Sequence, residues 1–275
     1  MVPVIRAGQH GALKRYEPVN TAKRDCAAPT NTRRAAHDQS QAVAPHCRRP
    51  RDCALLQTST THDGYSSHMD LWPWTVDARH SLLVTFEELD DEQWAVESLC
   101  EGWSVREVLA HLILAARPPA RRYLAAIARA RGNFDKANQV LAVADGRRPT
   151  AELVAEYRSV VDYRFSPPGW PQAAPLSDIL LHSLDVRLAF GLPSDQQPER
   201  YEPVMGLLFG PLRRSFTQAK RPSLRWVATD HSWTNGTGPA VEGAIADLAF
   251  TAAGRRGRID QLSGEGVPAV RLWLS

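Results

Sequence analysis

Apolar residues recur at helical intervals only from Leu71 onward. In residues 75–89, Val76, Leu82, Leu83, Phe86 and Leu89 gather mainly on one face of a helix. The next helix carries its own start signal. Ser104 precedes Glu107 by three residues, a spacing in which each side chain satisfies a free backbone N–H at the helix start. Trp103 and Val108 bracket that start as a hydrophobic staple, and Val105, Val108, Leu109, Leu112 and Leu114 carry the helix to Pro118-Pro119. An Arg- and Ala-rich helix over 119–131 is predicted on the outside. Pro149-Thr150 opens a helix over 150–164 through Leu153, Tyr157 and Val161. Ser177 opens one over 177–190, closed by Gly191 and Pro193. Four principal amphipathic helices predict a helix bundle. After Pro193 the pattern becomes mixed. A helix is expected over 201–217, a strand at 224–229, a turn at Asn235–Pro239, a helix over 240–253 and a short β-like end at Val267–Leu274. The fold class is therefore mainly α: a four-helix bundle over 69–195, then a small α+β domain over 196–275.

Composition changes the picture only when the chain is divided at Met69. The 275 residues carry a formal charge of +3, with 43% hydrophobic and 23% charged residues. These values exclude collagen-like, coiled-coil and disulfide-dense chains. No run approaches the roughly 18 apolar residues that span a bilayer. Residues 1–68 hold 10 of the 33 Lys/Arg but 5 of the 30 Asp/Glu, and also Cys26, Cys47, Cys53 and five of the nine histidines. This stretch has no sustained periodicity and too little apolar surface to offset the entropy of ordering, so it is expected to be a disordered extension. The abrupt change at Met69 also fits a reading frame whose working start is that methionine. Cys26, His46, Cys47 and Cys53 lack the C-x2-C spacing of a zinc site. The scattered basic pairs lack the aromatic interleaving of single-strand binders. Neither nucleic acid nor membrane is expected as a partner, and with no apolar secretory signal the expected location is cytoplasmic.

Four histidines remain in residues 69–275, and two interrupt apolar helical faces. His111 sits within Val108–Leu114. Asp178 and His182 are four residues apart, which places them on one face about 5–6 Å apart. Three such ligands from two helices of a bundle would leave one coordination position of a metal ion open, the mark of a catalytic zinc-type site. For each residue singly, spacing favours the plainer alternative: a hydrogen-bonded core histidine, or an Asp178 that caps its helix beside Ser177. Asp185 is placed to orient the His182 imidazole, or to pair with Arg106 or Arg187. Cys100 precedes a helix N-terminus, which would acidify it, but a small buried residue is the commoner case. Arg255 is a candidate for a substrate carboxylate, or for capping a helix end. His80 either borders the same cavity or faces solvent.

The string Glu97-Ser-Leu-Cys-Glu-Gly-Trp-Ser-Val-Arg-Glu-Val-Leu-Ala-His-Leu112, preceded by Trp72–Leu89, resembles the opening of the mycothiol-dependent maleylpyruvate isomerase family. Asp178–Gly191 is similar to that family's last bundle helix, and Gly236–Gly266 is more loosely similar to its C-terminal domain. The resemblance implies a DinB-like four-helix bundle. It implies a divalent metal, usually zinc, held at His111, Asp178 and His182. Asp178 departs from the isomerases, which carry Glu there; the shorter side chain draws the ion toward its helix or weakens its hold. The implied chemistry uses mycothiol as thiol cofactor or co-substrate, for isomerisation or S-transfer on a small electrophile. A metal-dependent hydrolase on the same bundle, or a catalytically silent ligand-binding or scaffold protein, are the rival readings. Substrate and oligomeric state are not legible in the residues.

Overall fold

A computed structural model describes residues 69–216 and 220–275. Everything expected of residues 1–68, including the disordered extension and the Cys26, His46, Cys47, Cys53 alternative, lies outside the described residues.

The bundle consists of α1 (Trp72–Glu87), α2 (Val105–Ala116), α5 (Thr150–Val160) and α6 (Ala173–Ala189). α1 packs on α5 and α6, and α2 packs on the same two helices. Their apolar faces meet in a core that includes Leu82, Phe86, Val108, Leu109, Leu153, Tyr157, Leu176 and Leu180, each at most 1% exposed. The start of α2 follows its sequence signal: the Glu107 carboxylate accepts hydrogen bonds from the Ser104 backbone N–H (2.7 Å) and hydroxyl (2.9 Å). Between α2 and α5 the chain forms α3 (Ala120–Arg129) and α4 (Phe134–Asp145). α4 lies on α2, and α3 lies on α4. Sequence analysis passed over α4. Its signals are present: the Lys136 backbone N–H donates to the Asn133 side chain, and Asp135 sits in the first turn. Exposed Phe134 and Val140 blur its apolar face.

α6 starts a full turn earlier than expected, because Pro175 lies in the first turn, where no intrahelical N–H bond is needed. Ser177 and Asp178 are therefore inside the helix. Asp178 does not cap it.

The rest of the chain forms α7 (Glu202–Phe209), strands β1 (Arg225–Ala228), β2 (Thr234–Asn235) and β3 (Ala240–Gly243), and helices α8 (Ile245–Ala252) and α9 (Val267–Trp273). The sheet order is β2-β1-β3, antiparallel between β1 and β2 and parallel between β1 and β3, with Trp226 opposite both Asn235 and Val241. Three expectations are corrected here. The helix expected over 201–217 breaks at Gly210-Pro211 into a 3-10 turn at Pro211–Ser215. The one expected over 240–253 begins as β3, because residues 240–243 pair with β1, and turns helical only at Ile245. The β-like end is the helix α9, in which Val267, Val270 and Leu274 bury one face at helical spacing. The Asn235–Pro239 turn is as expected: Gly236 takes φ +84°, and a side chain there would collide with the Leu224 carbonyl.

The described part of the molecule is thus mainly α, a four-helix bundle followed by a small α+β unit. The two share one continuous core, with α6 packed on both α7 and α8. No helix among the described residues is long and apolar enough to cross a membrane.

Candidate metal centre

α2 and α6 lie side by side, and three side chains converge between them. His111 comes from α2; Asp178 and His182 come from successive turns of α6. Their nearest ligand atoms all fall within 4.8 Å of one another. A single carboxylate oxygen, Asp178 Oδ1, faces both imidazoles, 3.2 Å from His111 Nε2 and 3.7 Å from His182 Nε2. The ring centroids are 4.8 Å apart in an edge-on arrangement. Both histidines are buried, whereas the Asp178 side chain remains 30% exposed, so the group is reached from the Asp178 side.

The two imidazoles are held differently. His182 Nδ1 lies 2.9 Å from Asp185 Oδ2. Asp185 is fully buried and kept ionised: burial opposes the charge, but the Arg255 guanidinium outweighs it and holds the carboxyl below its ordinary range. An ionised carboxylate only accepts, so His182 Nδ1 carries the proton and Nε2 presents its lone pair toward Asp178. Burial also lowers the His182 pKa, against the opposing pull of Asp185, which keeps the ring neutral as a ligand must be. His111 Nδ1 has no hydrogen-bond partner. The ring of Trp103 stacks on His182 at 5.6 Å and leans on His111 at 4.9 Å, so His111 is steadied by packing and by the contact of its Nε2 with Asp178.

Burial works against the charge on Asp178, yet His111, His182 and Arg79 together bring its pKa down to about 2. Arg79 is a buried charged neighbour of the group that sequence reasoning missed. It is 4% exposed and donates to the carbonyls of Tyr163 (2.7 Å) and Val161 (3.4 Å), just past the end of α5. A signal existed. Arg79 stands at the helical step between Val76 and Leu82-Leu83, a lone cation on an apolar face.

The other candidates separate. Arg255 closes the end of α8 only through its backbone N–H, which donates to the Phe250 carbonyl; its side-chain Nε and Nη2 donate to Asp185 at 2.8–3.1 Å. Arg106 instead donates to the Arg148 carbonyl, and Arg187 pairs with Asp195. His80 is half exposed, pairs with Asp162 at 2.8 Å and stands outside the group. Cys100 is half buried beside His182 and Asp185, and those three also fall within 4.8 Å. Burial, reinforced by Asp185, pushes its thiol up to about 12, the reverse of an acidified helix-start cysteine. Asp185 of this second group is also paired with Arg255.

Two imidazole nitrogens and a carboxylate oxygen, with the second nitrogen of one ring anchored by a carboxylate, fit a divalent ion of the zinc type. Residues 76–164 match the family model described as the mycothiol maleylpyruvate isomerase N-terminal domain. The matched stretch contains α2 and His111 and ends before α6, so Asp178, His182 and Asp185 are contributed from outside it. Two crystal structures share the fold at a TM-score of 0.50: a mycothiol-dependent maleylpyruvate isomerase, 15% identical, and a histidine-to-alanine mutant of that enzyme, 14% identical. Each comparison covers 71% of this chain and 90% of the other. No curated protein is close enough in sequence to count as a relative.

Proposed function

We propose that the chain is a metal-dependent enzyme in which His111, Asp178 and His182 hold a divalent ion, zinc by donor type, and a small thiol, mycothiol, serves as cofactor or co-substrate. The reaction class is isomerisation or S-transfer on a small electrophile. The observation that carries this reading is the convergence of the three ligand atoms within 4.8 Å, with His182 oriented by Asp185. The family match over the first part of the bundle supports the choice of thiol.

A bound ion of this type lowers the pKa of a thiol or water in its remaining position and acts as a Lewis acid. The chain's own residues prepare that position. Asp178 brings the only carboxylate of the trio, so the residues leave a divalent ion with net positive charge toward an incoming thiolate. His182 is directed because its Nδ1–H donates to Asp185, and burial keeps the ring neutral. His111 first, then His182 and Arg79, favour the ionised form of Asp178. The partly exposed Asp178 side marks where reactants enter.

The test is metal content of the purified chain and turnover of a panel of small electrophiles, with and without mycothiol. Stoichiometric metal and thiol-dependent turnover are expected. Turnover indifferent to thiol would replace the proposal with the hydrolytic reading, and absence of metal would remove both.

A further inference from the structure

All three proposed ligands lie on the bundle, yet one of them is tied to the other end of the chain. Asp185 Oδ2 accepts from His182 Nδ1 at 2.9 Å and from Arg255 Nη2 at 2.8 Å, and Arg255 Nε lies between the two carboxylate oxygens at 2.9 and 3.1 Å. This is the two-pronged geometry that only a guanidinium offers, and it fixes both the position and the rotation of the carboxylate.

Arg255 is itself held. It follows α8 directly, after Gly254 at φ +92°, a left-handed position from which the chain leaves the helix and turns back toward α6. Its backbone N–H donates to the Phe250 carbonyl, and its guanidinium carbon lies 5.7 Å from the centre of the Phe250 ring. The Asp185 backbone is pinned from a third direction, its carbonyl accepting from the Leu99 N–H at 3.0 Å. The orientation of His182 thus runs through a chain of fixed groups into the α+β unit. His111 has no such support, since its Nδ1 is unpartnered.

We infer that Arg255 is a positioning residue of the metal centre: by clamping Asp185 it fixes the His182 imidazole, so that the C-terminal unit completes a site whose ligands all belong to the bundle. This rests on the metal reading given above. It differs from a role for Arg255 in holding a substrate carboxylate, because it acts before any organic substrate is present.

The experiment uses the full chain, stripped of metal and titrated with zinc against a chromophoric chelator, with cobalt(II) as a spectroscopic probe of the same site. Arg255→Gln and Asp185→Asn are each expected to weaken zinc binding about 10- to 100-fold, as loss of groups that orient a ligand does. The double variant should bind no more weakly than the weaker single one, because both act along one path. Arg255→Lys keeps the charge and the fold but not the fork, and should still shift the cobalt absorption bands. Folding of each variant is checked by its unfolding midpoint. An Arg255→Lys protein that folds and shows wild-type zinc affinity and cobalt spectrum would overturn the inference, as would losses that multiply in the double variant. A substrate anchor would instead raise KM and leave metal affinity untouched. If the wild-type chain binds no zinc, the metal reading itself falls, and the role of Arg255 with it.

Discussion

α2 and α6 each bring a histidine to the same point, and they hold it by opposite means. On α2, His111 is set by the flat face of Trp103, with nothing bonded to its Nδ1. On α6, His182 is set by a buried charge network in which Asp185 is the hinge and Arg255 the clamp. Apolar packing restrains a ring without choosing which nitrogen keeps the proton. A carboxylate bonded to Nδ1 chooses the tautomer as well as the angle. The proposed site therefore combines a histidine held mainly by shape with one held by charge, and the two should fail differently.

The largest expected contrast lies between the ligands themselves. His182→Ala should cost zinc affinity at least about 100-fold, the upper end of what loss of a supporting contact alone produces. His111→Ala should cost less than His182→Ala, since only His182 is pre-oriented. Equal losses in a chelator competition would erase the distinction drawn between the two helices.

Next comes Trp103, which is 6% exposed and touches both rings. Trp103→Ala should destabilise the chain by about 3–5 kcal/mol, as truncation of a buried aromatic does. Denaturant unfolding measures this. If the support is packing, Trp103→Phe should recover much of the stability while zinc affinity stays below wild type.

A smaller effect belongs to the helix start. Glu107→Ala removes the acceptor for two Ser104 donors and should cost about 0.5–2 kcal/mol. Zinc affinity should be unchanged once the variant is shown to be folded. A drop in affinity comparable to that of Asp185→Asn would mean that α2 positions His111 through its cap after all.

The smallest effect is one of pH. The native His182 pKa lies below its ordinary value, so protonation favours the unfolded chain. The stability this contributes to the metal-free protein is present above pH of about 6.5 and is lost as pH falls below it toward the lower native value. Asp185 contributes in the same sense at more acid pH, because its native pKa is also depressed: its share is present above about 3.9 and fades below it. Unfolding curves between pH 7.5 and 5 should therefore slope downward with acid for the wild type, and less steeply for His182→Gln. These pH limits run from about one unit above the ordinary histidine value to about one and a half units below it. Identical slopes would show that the charge network does not govern the α6 side.

How far this could be read from residues alone differs along the chain. α1, α2, α5 and α6 announce themselves because each carries apolar residues at helical spacing, and α2 and α6 stop beside Pro118 and Gly191. α4 was passed over although Asn133 caps it, because its apolar residues are split between the α2 contact and solvent. Residues 240–243 and 267–274 were misread for a common reason. Both segments are short and rich in small or β-branched residues, so their state is decided by a partner strand or a buried face elsewhere. In the site, His111, Asp178 and His182 stood out as polar residues on apolar faces. Arg79 carried the same mark and was overlooked. Arg255 could not be paired with Asp185 from sequence, since 70 residues separate them and neither periodicity nor spacing links a loop after α8 to the middle of α6.

The sequence by itself determined the four bundle helices, where α2 begins, and that two histidines and an aspartate interrupt their buried faces. Those are local properties, set by periodicity and by the bonding needs of helix ends. Only the tertiary structure decided that the three meet, which nitrogen of His182 is left free, and that the clamp on Asp185 comes from the far end of the chain. Those depend on how helices pack and on which charges are buried together, and burial is a property of the whole fold.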